Sequence, residues 1–502
     1  MTLAEATKAL ADLQKKMYAL NHATGIIYLD SVTVAPEDTA VGRGETLGIL
    51  SGFSYELFAN PQTEELLKFL AEHRDELTMQ QAREVEMLTR DYERISKIPQ
   101  DEYVEYQKLI NEAQSVWHRA KKENDFPAFA PYIEKIAAAN RKFAGYFNPG
   151  KHPYNVTLDH YERGLTMEKL DVFFGKLRET IVPLLHRIRN EAEQVDDSFL
   201  HQEFPVEQQR KLSDYLMEVM AIDRRHCGIG ETEHPFTINF NKYDVRITTK
   251  YHTDSITSSM YSVIHEGGHA LYELGTADEL MYTCLAAGIS MGVHESQSRL
   301  FENIIGRSES FINLIFPKLK ELFPKQLENV DAHQFYLAVN KCEPSLIRIE
   351  ADELTYCLHI MVRYEIEKML FEGTVSVNEL PQVWAKLMKE YLGVDVPDDS
   401  RGVLQDSHWS GGSMGYFPSY AIGSAYSAQI IHKMRQEIDV DGIIASGNLR
   451  PIVEWLEERI YKYGSMLDPD EVIRNCCGEP FDPTYFVDYL TEKFKGIYNL
   501  KD

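Results

Sequence analysis

The sequence predicts a mainly α-helical protein with one small β element, and three observations support this class. Apolar residues recur at three- and four-residue steps through most of the 502-residue chain. Alternation of β-branched and aromatic residues is clearest in one region, 236–249. That region directly precedes a helical segment containing His265–His269, an H-E-x-x-H pattern. We therefore expect a helical fold with a small sheet beside the helix that carries this pattern.

Composition limits the partners and the compartment. The chain is 44% hydrophobic and 26% charged, as soluble globular proteins are. Its net charge of −26 argues against nucleic acid and anionic membrane, because both favour basic surfaces. The start of the chain has no apolar signal-peptide core, and the six cysteines are scattered without C-x-x-C spacing. We expect a cytoplasmic protein with reduced thiols that binds neither nucleic acid nor membrane.

The first 146 residues have helical periodicity almost throughout, beginning with a stripe that includes Leu3, Ala6 and Leu10. Further helices are predicted at 42–58, 62–74, 79–95, 101–122 and 127–146. The segment 147–153 contains two prolines and a glycine and is the best candidate boundary. We predict a single domain over 1–502, with a helical N-terminal subregion 1–150 and a subregion 151–502 that carries the chemistry.

The second subregion combines helices with the β element. Residues 236–241 and 244–249 predict a hairpin, whose edge could pair with an extended peptide. A helix is predicted at about 255–274, after the N-cap type Ser255 and before Gly275. A long irregular stretch, Gly393–Phe417, favours a functional loop. Other helices are predicted at 166–194, 206–222, 300–323, 333–341, 352–372, 378–392, 419–436, 449–462 and 480–497.

The H-E-x-x-H pattern suggests a metal site. Positions i and i+4 share one helix face, so His265 and His269 can reach one ion, with Glu266 beside them to hold a water. Gly267 and Gly268 each cost about 1 kcal/mol in a helix interior relative to alanine. Their presence suggests that another segment comes close to this helix. The alternative interpretation is a buried helix with two hydrogen-bonded histidines.

A catalytic zinc site needs a third protein ligand. Glu295 is the candidate, because the 26 residues after His269 allow one helix to end and an antiparallel neighbour to begin. His294 is the alternative ligand, and Glu295 could instead be an acid that stabilises a helix N-terminus. Zn²⁺ suits the set of two nitrogens and one oxygen, although Co²⁺ or Mn²⁺ could substitute. Glu266 would then act as general base, and His408 or a tyrosine of 416–420 could stabilise an oxyanion.

Six motifs in order resemble the Taq-type metallocarboxypeptidases (thermostable carboxypeptidase 1). They span 234–409, and the chain length also suits that family. The motifs are H-P-F at His234–Phe236, D-x-R-x-T at Asp244–Thr248, H-E-x-x-H at His265–His269, H-E-S at His294–Ser296, I-R-x-x-A-D at Ile347–Asp352 and G-x-x-Q-D-x-H-W at Gly402–Trp409.

The resemblance implies a saddle-shaped helical fold with a deep central groove, similar to neurolysin and angiotensin-converting enzyme. It also implies a homodimer that removes C-terminal residues from peptides with a free C-terminus and broad specificity. The implied metal ligands are His265, His269 and Glu295, and the implied base is Glu266. The implied transition-state donors are His408 and Tyr420. The implied substrate-binding residues are Arg348, Arg246 and His234.

The residues themselves leave alternatives open. An exopeptidase needs a cation for the terminal carboxylate, but Arg246, Arg348 and Arg401 could each form an ordinary salt bridge. A neurolysin-like oligoendopeptidase would have a groove open at both ends and no such arginine. A non-catalytic helical peptide-binding protein is the third reading, and intact Glu266 argues against it because a binder needs no base.

Overall fold

The computed structural model describes residues 1–501, which contain twenty α-helices and one three-stranded sheet. The predicted class, mainly α with a small β element, is confirmed. Among these residues no helix is both long enough and apolar enough to cross a bilayer. All six cysteines are unpaired.

Most of the first 147 residues are helical, as their periodicity predicted. Capping boxes begin two of these helices, one between Thr2 and Glu5 and one between Thr78 and Gln81. The helices are α1 (Leu3–Thr33), α2 (Ala40–Phe58), α3 (Pro61–Glu72), α4 (Met79–Ser96), α5 (Gln100–Glu123) and α6 (Phe126–Phe147).

The later helices match the predicted ranges with few exceptions. The sequence did not predict the short helices Pro153–Tyr161, Val440–Ala445 and Pro469–Cys477, since each has six to nine residues and two of them start at a proline that resembles a breaker. The sequence predicted the helix Met291–Arg299 only as an antiparallel neighbour of the His265 helix, without bounds, and the predicted helix 300–323 is divided into a π-helical segment and a later α-helix. The helices are α7 (Pro153–Tyr161), α8 (Met167–Glu191), α9 (Val206–Val219), α10 (Ile256–Leu274), α11 (Met291–Arg299), α12 (Glu309–Leu322), α13 (Ala332–Val339), α14 (Glu353–Glu372), α15 (Leu380–Leu392), α16 (Phe417–Glu437), α17 (Val440–Ala445), α18 (Arg450–Arg459), α19 (Pro469–Cys477) and α20 (Thr484–Ile497).

The sheet contains β1 (Cys227–Glu231), β2 (Thr237–Asn241) and β3 (Asp244–Thr249). Its order is β1-β3-β2, with β3 antiparallel to β2 and parallel to β1. The predicted hairpin is therefore confirmed. The sequence did not predict β1, because its Cys-Gly-Ile-Gly-Glu segment contains two glycines, which disfavour strands.

Buried apolar side chains form two clusters. The smaller lies between α1, α3 and α4 and includes Ala6, Leu10, Leu70 and Leu88. The larger extends from Ala113 in α5 to the end of the chain's last helix. This division of the core does not follow the boundary near residue 150, and the two subregions stay a prediction.

The helix of the H-E-x-x-H pattern, α10, lies against the backbone of α11. A side-chain carbon at Gly268 would lie 2.7 Å from the Gln297 carbonyl oxygen and 2.8 Å from Ser298 Cα. The same carbon at Gly267 would lie 2.8 Å from Met220 Cε. The expected close approach to both glycines is confirmed, and it brings Glu295 of α11 beside α10.

We expect Gly268→Ala to destabilise the protein by about 1–3 kcal/mol, because its Cβ would meet backbone that cannot rotate away. Separation of α10 from α11 should also weaken divalent metal binding. Chemical denaturation and metal titration measure the two effects. Gly175→Ala in α8 is the control, since nothing lies within 4 Å of its Cβ position. Equal stability of the two variants would show that the contact at Gly268 is not a constraint.

Candidate metal and carboxylate site

Three side chains of α10 and α11 could hold one metal ion. The ligand-type atoms of His265, His269 and Glu295 all lie within 4.8 Å of one another. Glu295 Oε2 is 3.7 Å from His265 Nε2 and 3.5 Å from His269 Nε2. All three side chains are largely buried, so an ion between them would have few competing waters. The set of two imidazoles and one carboxylate fits a divalent metal of the zinc type.

Glu266 lies beside this group and is positioned by the sheet. Thr237 Oγ1 of β2 is 2.6 Å from Glu266 Oε2 and 3.0 Å from the Glu266 carbonyl oxygen. Because the hydroxyl binds one carboxylate oxygen, it fixes the side-chain rotamer and leaves the other oxygen for a reactant. Burial raises the pKa of Glu266.

His265 is held by a second carboxylate. Its Nδ1 is 2.8 Å from Glu302 Oε2, so that nitrogen donates and Nε2 keeps its lone pair for a metal. Arg299 donates through Nη1 to Glu302 Oε2 at 3.1 Å and through Nε to Glu295 Oε1 at 2.7 Å. Arg299 thus holds both the candidate ligand Glu295 and Glu302, the hydrogen-bond partner of the candidate ligand His265. Glu302 belongs to the π-helical segment Leu300–Ile305, which continues α11.

His269 is held by a histidine rather than by a carboxylate. Its Nδ1 is 2.7 Å from His294 Nδ1, and His294 Nε2 is 2.6 Å from Glu273 Oε1. Glu273 in turn accepts a hydrogen bond from Asn239 of β2. Because the Glu273 carboxylate can only accept, His294 Nε2 is the donor in that contact, and in the tautomer with this single proton His294 Nδ1 accepts from His269. That assignment also leaves His269 Nε2 free for a metal and engages both ring nitrogens of His294, so we predict a supporting role for His294 rather than that of a third ligand.

Burial and neighbouring charges together shift the pKa values of the three candidate ligands and of Glu302. Burial lowers the pKa of His269 to about 4. Burial has the same effect on His265, but Glu295 and Glu302 outweigh it and raise that pKa. Although burial alone would raise the pKa of Glu302, Arg299 and His265 lower it to about 2. The pKa of Glu295 also lies well below its usual range, because Arg299 and both histidines outweigh burial. Both carboxylates are therefore ionised at neutral pH.

Packing from α16 fixes Glu295 from the other side. A side-chain carbon at Gly423 would lie 2.6 Å from Glu295 Cβ and 3.0 Å from the Gly292 carbonyl oxygen. Tyr420 precedes Gly423 by one helical turn, so it lies on the face of α16 that meets α11. Tyr420, one of the predicted oxyanion donors, therefore lies one helical turn from the glycine that packs on Glu295 of the ligand group, which is His265, His269 and Glu295.

His408 and Tyr420 also lie together. His408 Nε2 is 3.3 Å from the Tyr420 hydroxyl, and the imidazole packs on Phe417 with a centroid distance of 4.3 Å. Burial lowers the pKa of His408 to about 4, so its ring is neutral at pH 7. The Tyr416 ring lies 5.1 Å from that of Tyr420, so it is the other candidate donor in this stretch.

Arg348 lies in a buried charge cluster made with the 393–417 loop. Its Nη2 donates to Asp406 Oδ1 at 2.8 Å, and its Nη1 donates to the Tyr356 hydroxyl at 3.2 Å. Arg299 lies over the Tyr356 ring, 4.4 Å from its centroid. A single aromatic ring therefore separates Arg348 from the arginine that holds Glu295.

The remaining predicted substrate residues lie apart from this network. Arg246 of β3 forms a bidentate pair with Asp244, at 2.8 Å for each contact. His234 is exposed before β2, and Arg401 pairs with Asp398 at 2.6 Å. No hydrogen bond described for residues 1–501 joins these three to the ligand group, and their roles stay predictions.

The sequence did not point to Glu302, Arg299, Glu273 or Thr237. These residues lie outside the H-E-x-x-H pattern. Acidic residues and arginines are common in helical sequences, so their presence alone does not indicate a site. A signal was available for two of them, since Arg299 and Glu302 follow Glu295 at four and seven residues, the spacing of one helix face.

We expect His294→Phe to weaken metal binding by about 10- to 100-fold, because His269 would lose the acceptor that fixes its tautomer. The metal dissociation constant, obtained by competition with a chromophoric chelator, measures this. His333→Phe is the control: that histidine is exposed and contacts Glu309 rather than the ligand group. Unchanged affinity in His294→Phe would contradict the supporting role.

Known proteins resemble this chain over nearly its whole length. Residues 9–494 match the family model described as carboxypeptidase Taq (M32) metallopeptidase. Carboxypeptidase 1 of Bacillus subtilis is 38% identical over 494 residues, which cover 98% of this chain and 99% of the relative. Thermostable carboxypeptidase 1 of Thermus thermophilus is 35% identical over 511 residues, covering 99% of this chain and all of that protein.

Solved structures show the same fold. The M32 carboxypeptidase from Deinococcus radiodurans R1 superposes with a TM-score of 0.96 at 31% identity, covering 99% of this chain and 100% of that one. The Pyrococcus furiosus carboxypeptidase gives a TM-score of 0.94 at 33% identity, covering 98% and 99%. Sequence and fold match over nearly the whole length of these proteins. The chain therefore belongs to the carboxypeptidase Taq (M32) metallopeptidase family of metallocarboxypeptidases.

Proposed function

We propose that this metallocarboxypeptidase uses one Zn²⁺ per chain, held by His265, His269 and Glu295. The convergence of these three side chains is the observation that carries the proposal. When bound, such an ion lowers the pKa of a water molecule and polarises the scissile carbonyl. Co²⁺ or Mn²⁺ could replace Zn²⁺ in vitro.

Glu266 acts as general base in this proposal. Thr237 holds one of its carboxylate oxygens, so the other accepts a proton from the attacking water. The same carboxyl group then gives that proton to the nitrogen of the departing amino acid. His408 and Tyr420 donate hydrogen bonds to the oxygen that becomes negative as the carbonyl is attacked.

Arg348 binds the terminal carboxylate of the peptide. Support comes from its link to the ligand group, in which Arg348 donates to Tyr356 and Arg299 packs on the same ring while holding Glu295. This connection fixes Arg348 relative to Glu295, and removal of a single terminal residue requires a cation fixed relative to the residues that would hold the metal. Arg246 and His234 are proposed to support the ends of the substrate site.

Substrates are therefore peptides with a free C-terminus and varied terminal side chains. Family membership does not favour the oligoendopeptidase alternative or a non-catalytic peptide-binding protein. We also propose a cytoplasmic location, which the six unpaired thiols support.

We expect stepwise loss of C-terminal residues from a free-acid peptide, abolished by a chelator and restored by Zn²⁺. Mass spectrometry of the products measures this. Amidation of the same peptide should nearly abolish cleavage, because Arg348 would lose its charged partner. Arg348→Gln should remove the preference for the free acid.

Glu266→Gln should lower kcat by at least about 100-fold, since the general base is lost.

A wild-type enzyme that cleaves both peptides equally would contradict the exopeptidase assignment. Full activity in Glu266→Gln would contradict the proposed base. Arg450→Gln is a matched control for Arg348→Gln, because Arg450 is half exposed and pairs with Glu454 of its own helix at 3.0 Å. It should leave the preference unchanged.

We also propose a homodimer whose interface includes α2. Val41, Ile49 and Phe53 of this helix are 78%, 60% and 56% exposed. The helix has only three charged residues, in a chain of net charge −26. Two such acidic copies repel each other, so contact is most favourable at a face that is nearly uncharged and apolar.

We expect Phe53→Glu to raise the dimer dissociation constant by at least about tenfold, since it places a charge on an apolar face. Analytical ultracentrifugation measures the change. Val172→Glu is the control, because Val172 is an equally exposed apolar residue (58%) on α8. A wild-type monomer at all concentrations would contradict the dimer, and an unaffected dimer in Phe53→Glu would exclude α2 from its interface.

A further inference from the structure

We propose that Arg363 is a positioning residue for the substrate's terminal carboxylate, because it shares Asp406 with Arg348 and leaves that cluster with one net positive charge. The inference rests on the proposed function, in which Arg348 makes the contact. Arg363 lies on α14, outside every motif that the sequence displays.

The two arginines use different oxygens of the same carboxylate. Asp406 Oδ1 accepts from Arg348 Nε at 3.0 Å and from Nη2 at 2.8 Å. Asp406 Oδ2 accepts from Arg363 Nε at 2.7 Å. Gln405 joins the pair further, since its Oε1 accepts from the Arg348 backbone N–H at 2.9 Å and from Arg363 Nη2 at 2.7 Å. The geometry fixes both guanidinium groups around one acid.

The cluster is not neutral. Two guanidinium groups and one carboxylate sum to a net charge of +1, and Asp406 is the only acid in residues 1–501 that forms an ion pair with either arginine. Glu367, the buried acid on the next turn of α14, is instead bound by Tyr154, Trp409 and the Gly415 N–H. Burial raises the pKa of Glu367 to about 7, so this acid offsets the charge of Arg363 only in part, and an anion that arrives at Arg348 meets a net positive charge.

Arg363 cannot make that contact itself. It is fully buried, its Nη1 donates to the His359 carbonyl oxygen at 2.7 Å, and its guanidinium lies 4.5 Å from the centroid of the Trp384 ring. Arg348 is 6% exposed and uses Nη1 in a single 3.2 Å contact with a tyrosine hydroxyl. The structure thus separates two roles: Arg348 faces the ligand, and Arg363 supplies charge from behind.

Electrostatics explains why the second arginine is needed. Arg348 paired with Asp406 alone would be a neutral pair. At similar distances, the repulsion of a substrate carboxylate by Asp406 would largely cancel its attraction to Arg348. Arg363 cancels the charge of Asp406 without loosening its hold on Arg348. In a buried site this cancellation acts at low dielectric, where water screens charges poorly.

The test compares a free-acid peptide with its amidated form in Arg363→Gln and Arg363→Lys, each assayed as the metal-loaded enzyme. We expect Arg363→Gln to lower kcat/KM for the free acid by at least about tenfold, mainly through KM, with the amidated peptide changed less than about threefold. Arg363→Lys keeps the charge and should retain most of the preference for the free acid.

A double variant separates charge from packing. Arg363→Gln combined with Asp406→Asn returns the cluster to one positive charge, carried by Arg348, and should recover part of the preference that Arg363→Gln loses. Arg83→Gln is the matched control, because Arg83 is a buried arginine paired with Asp468 at 2.6 Å, outside this cluster. It should lower the melting temperature and leave the ratio of the two peptides unchanged.

The proposal is overturned if Arg363→Gln keeps the wild-type KM and ratio, or if it lowers both peptides equally. If Arg363→Gln does not fold, loss of the preference in a folded Arg363→Lys overturns it, and retention supports it. A wild-type enzyme without any preference for the free acid would refute the proposed function instead. Loss of the preference in Arg348→Gln together with its retention in Arg363→Gln would refute only the role of Arg363.

Discussion

The close contact between α10 and α11 at Gly268 is the constraint on which the site depends. One helix supplies His265 and His269, and the other supplies Glu295, so the three side chains can converge only if the two backbones touch. A side chain at residue 268 would separate the helices by the width of a methyl group. The two interior glycines, which cost about 1 kcal/mol each in helix propensity, are therefore a condition for the ligand set rather than a defect of the helix.

Around that contact, buried charged side chains form ion pairs and hydrogen bonds with one another. Arg299 binds both Glu295 and Glu302, and its guanidinium packs on Tyr356. The hydroxyl of the same tyrosine accepts from Arg348. The candidate metal ligands and the candidate carboxylate site are thus parts of one network, which transmits a fixed spacing between them. Networks of this kind are costly to bury unless every member is paired, and here the pairing extends from one functional group to the other.

The long loop between α15 and α16 is irregular in backbone but fixed in position. Gln405 and Asp406 bind two arginines, and the Trp409 indole N–H donates to buried Glu367 at 2.8 Å. From outside, the Trp117 indole N–H donates to the Leu404 carbonyl oxygen at 3.0 Å. Side-chain hydrogen bonds therefore supplement the turn-type backbone hydrogen bonds of this loop, such as that from the Ser413 N–H to the His408 carbonyl oxygen. Together they explain how a stretch without helical periodicity can hold the candidate donor His408 beside Tyr420.

The sequence by itself determined the helical class, the hairpin, the helix around His265 and the identity of the candidate ligands, because these depend on local periodicity and on short motifs. It also indicated that something must approach Gly267 and Gly268. Only the tertiary structure decided what approaches them, where β1 pairs, and which groups Glu302, His294 and Arg363 contact. Those contacts join positions far apart in the chain, so neither propensity nor spacing encodes them. They follow from which helix faces meet once the core has formed.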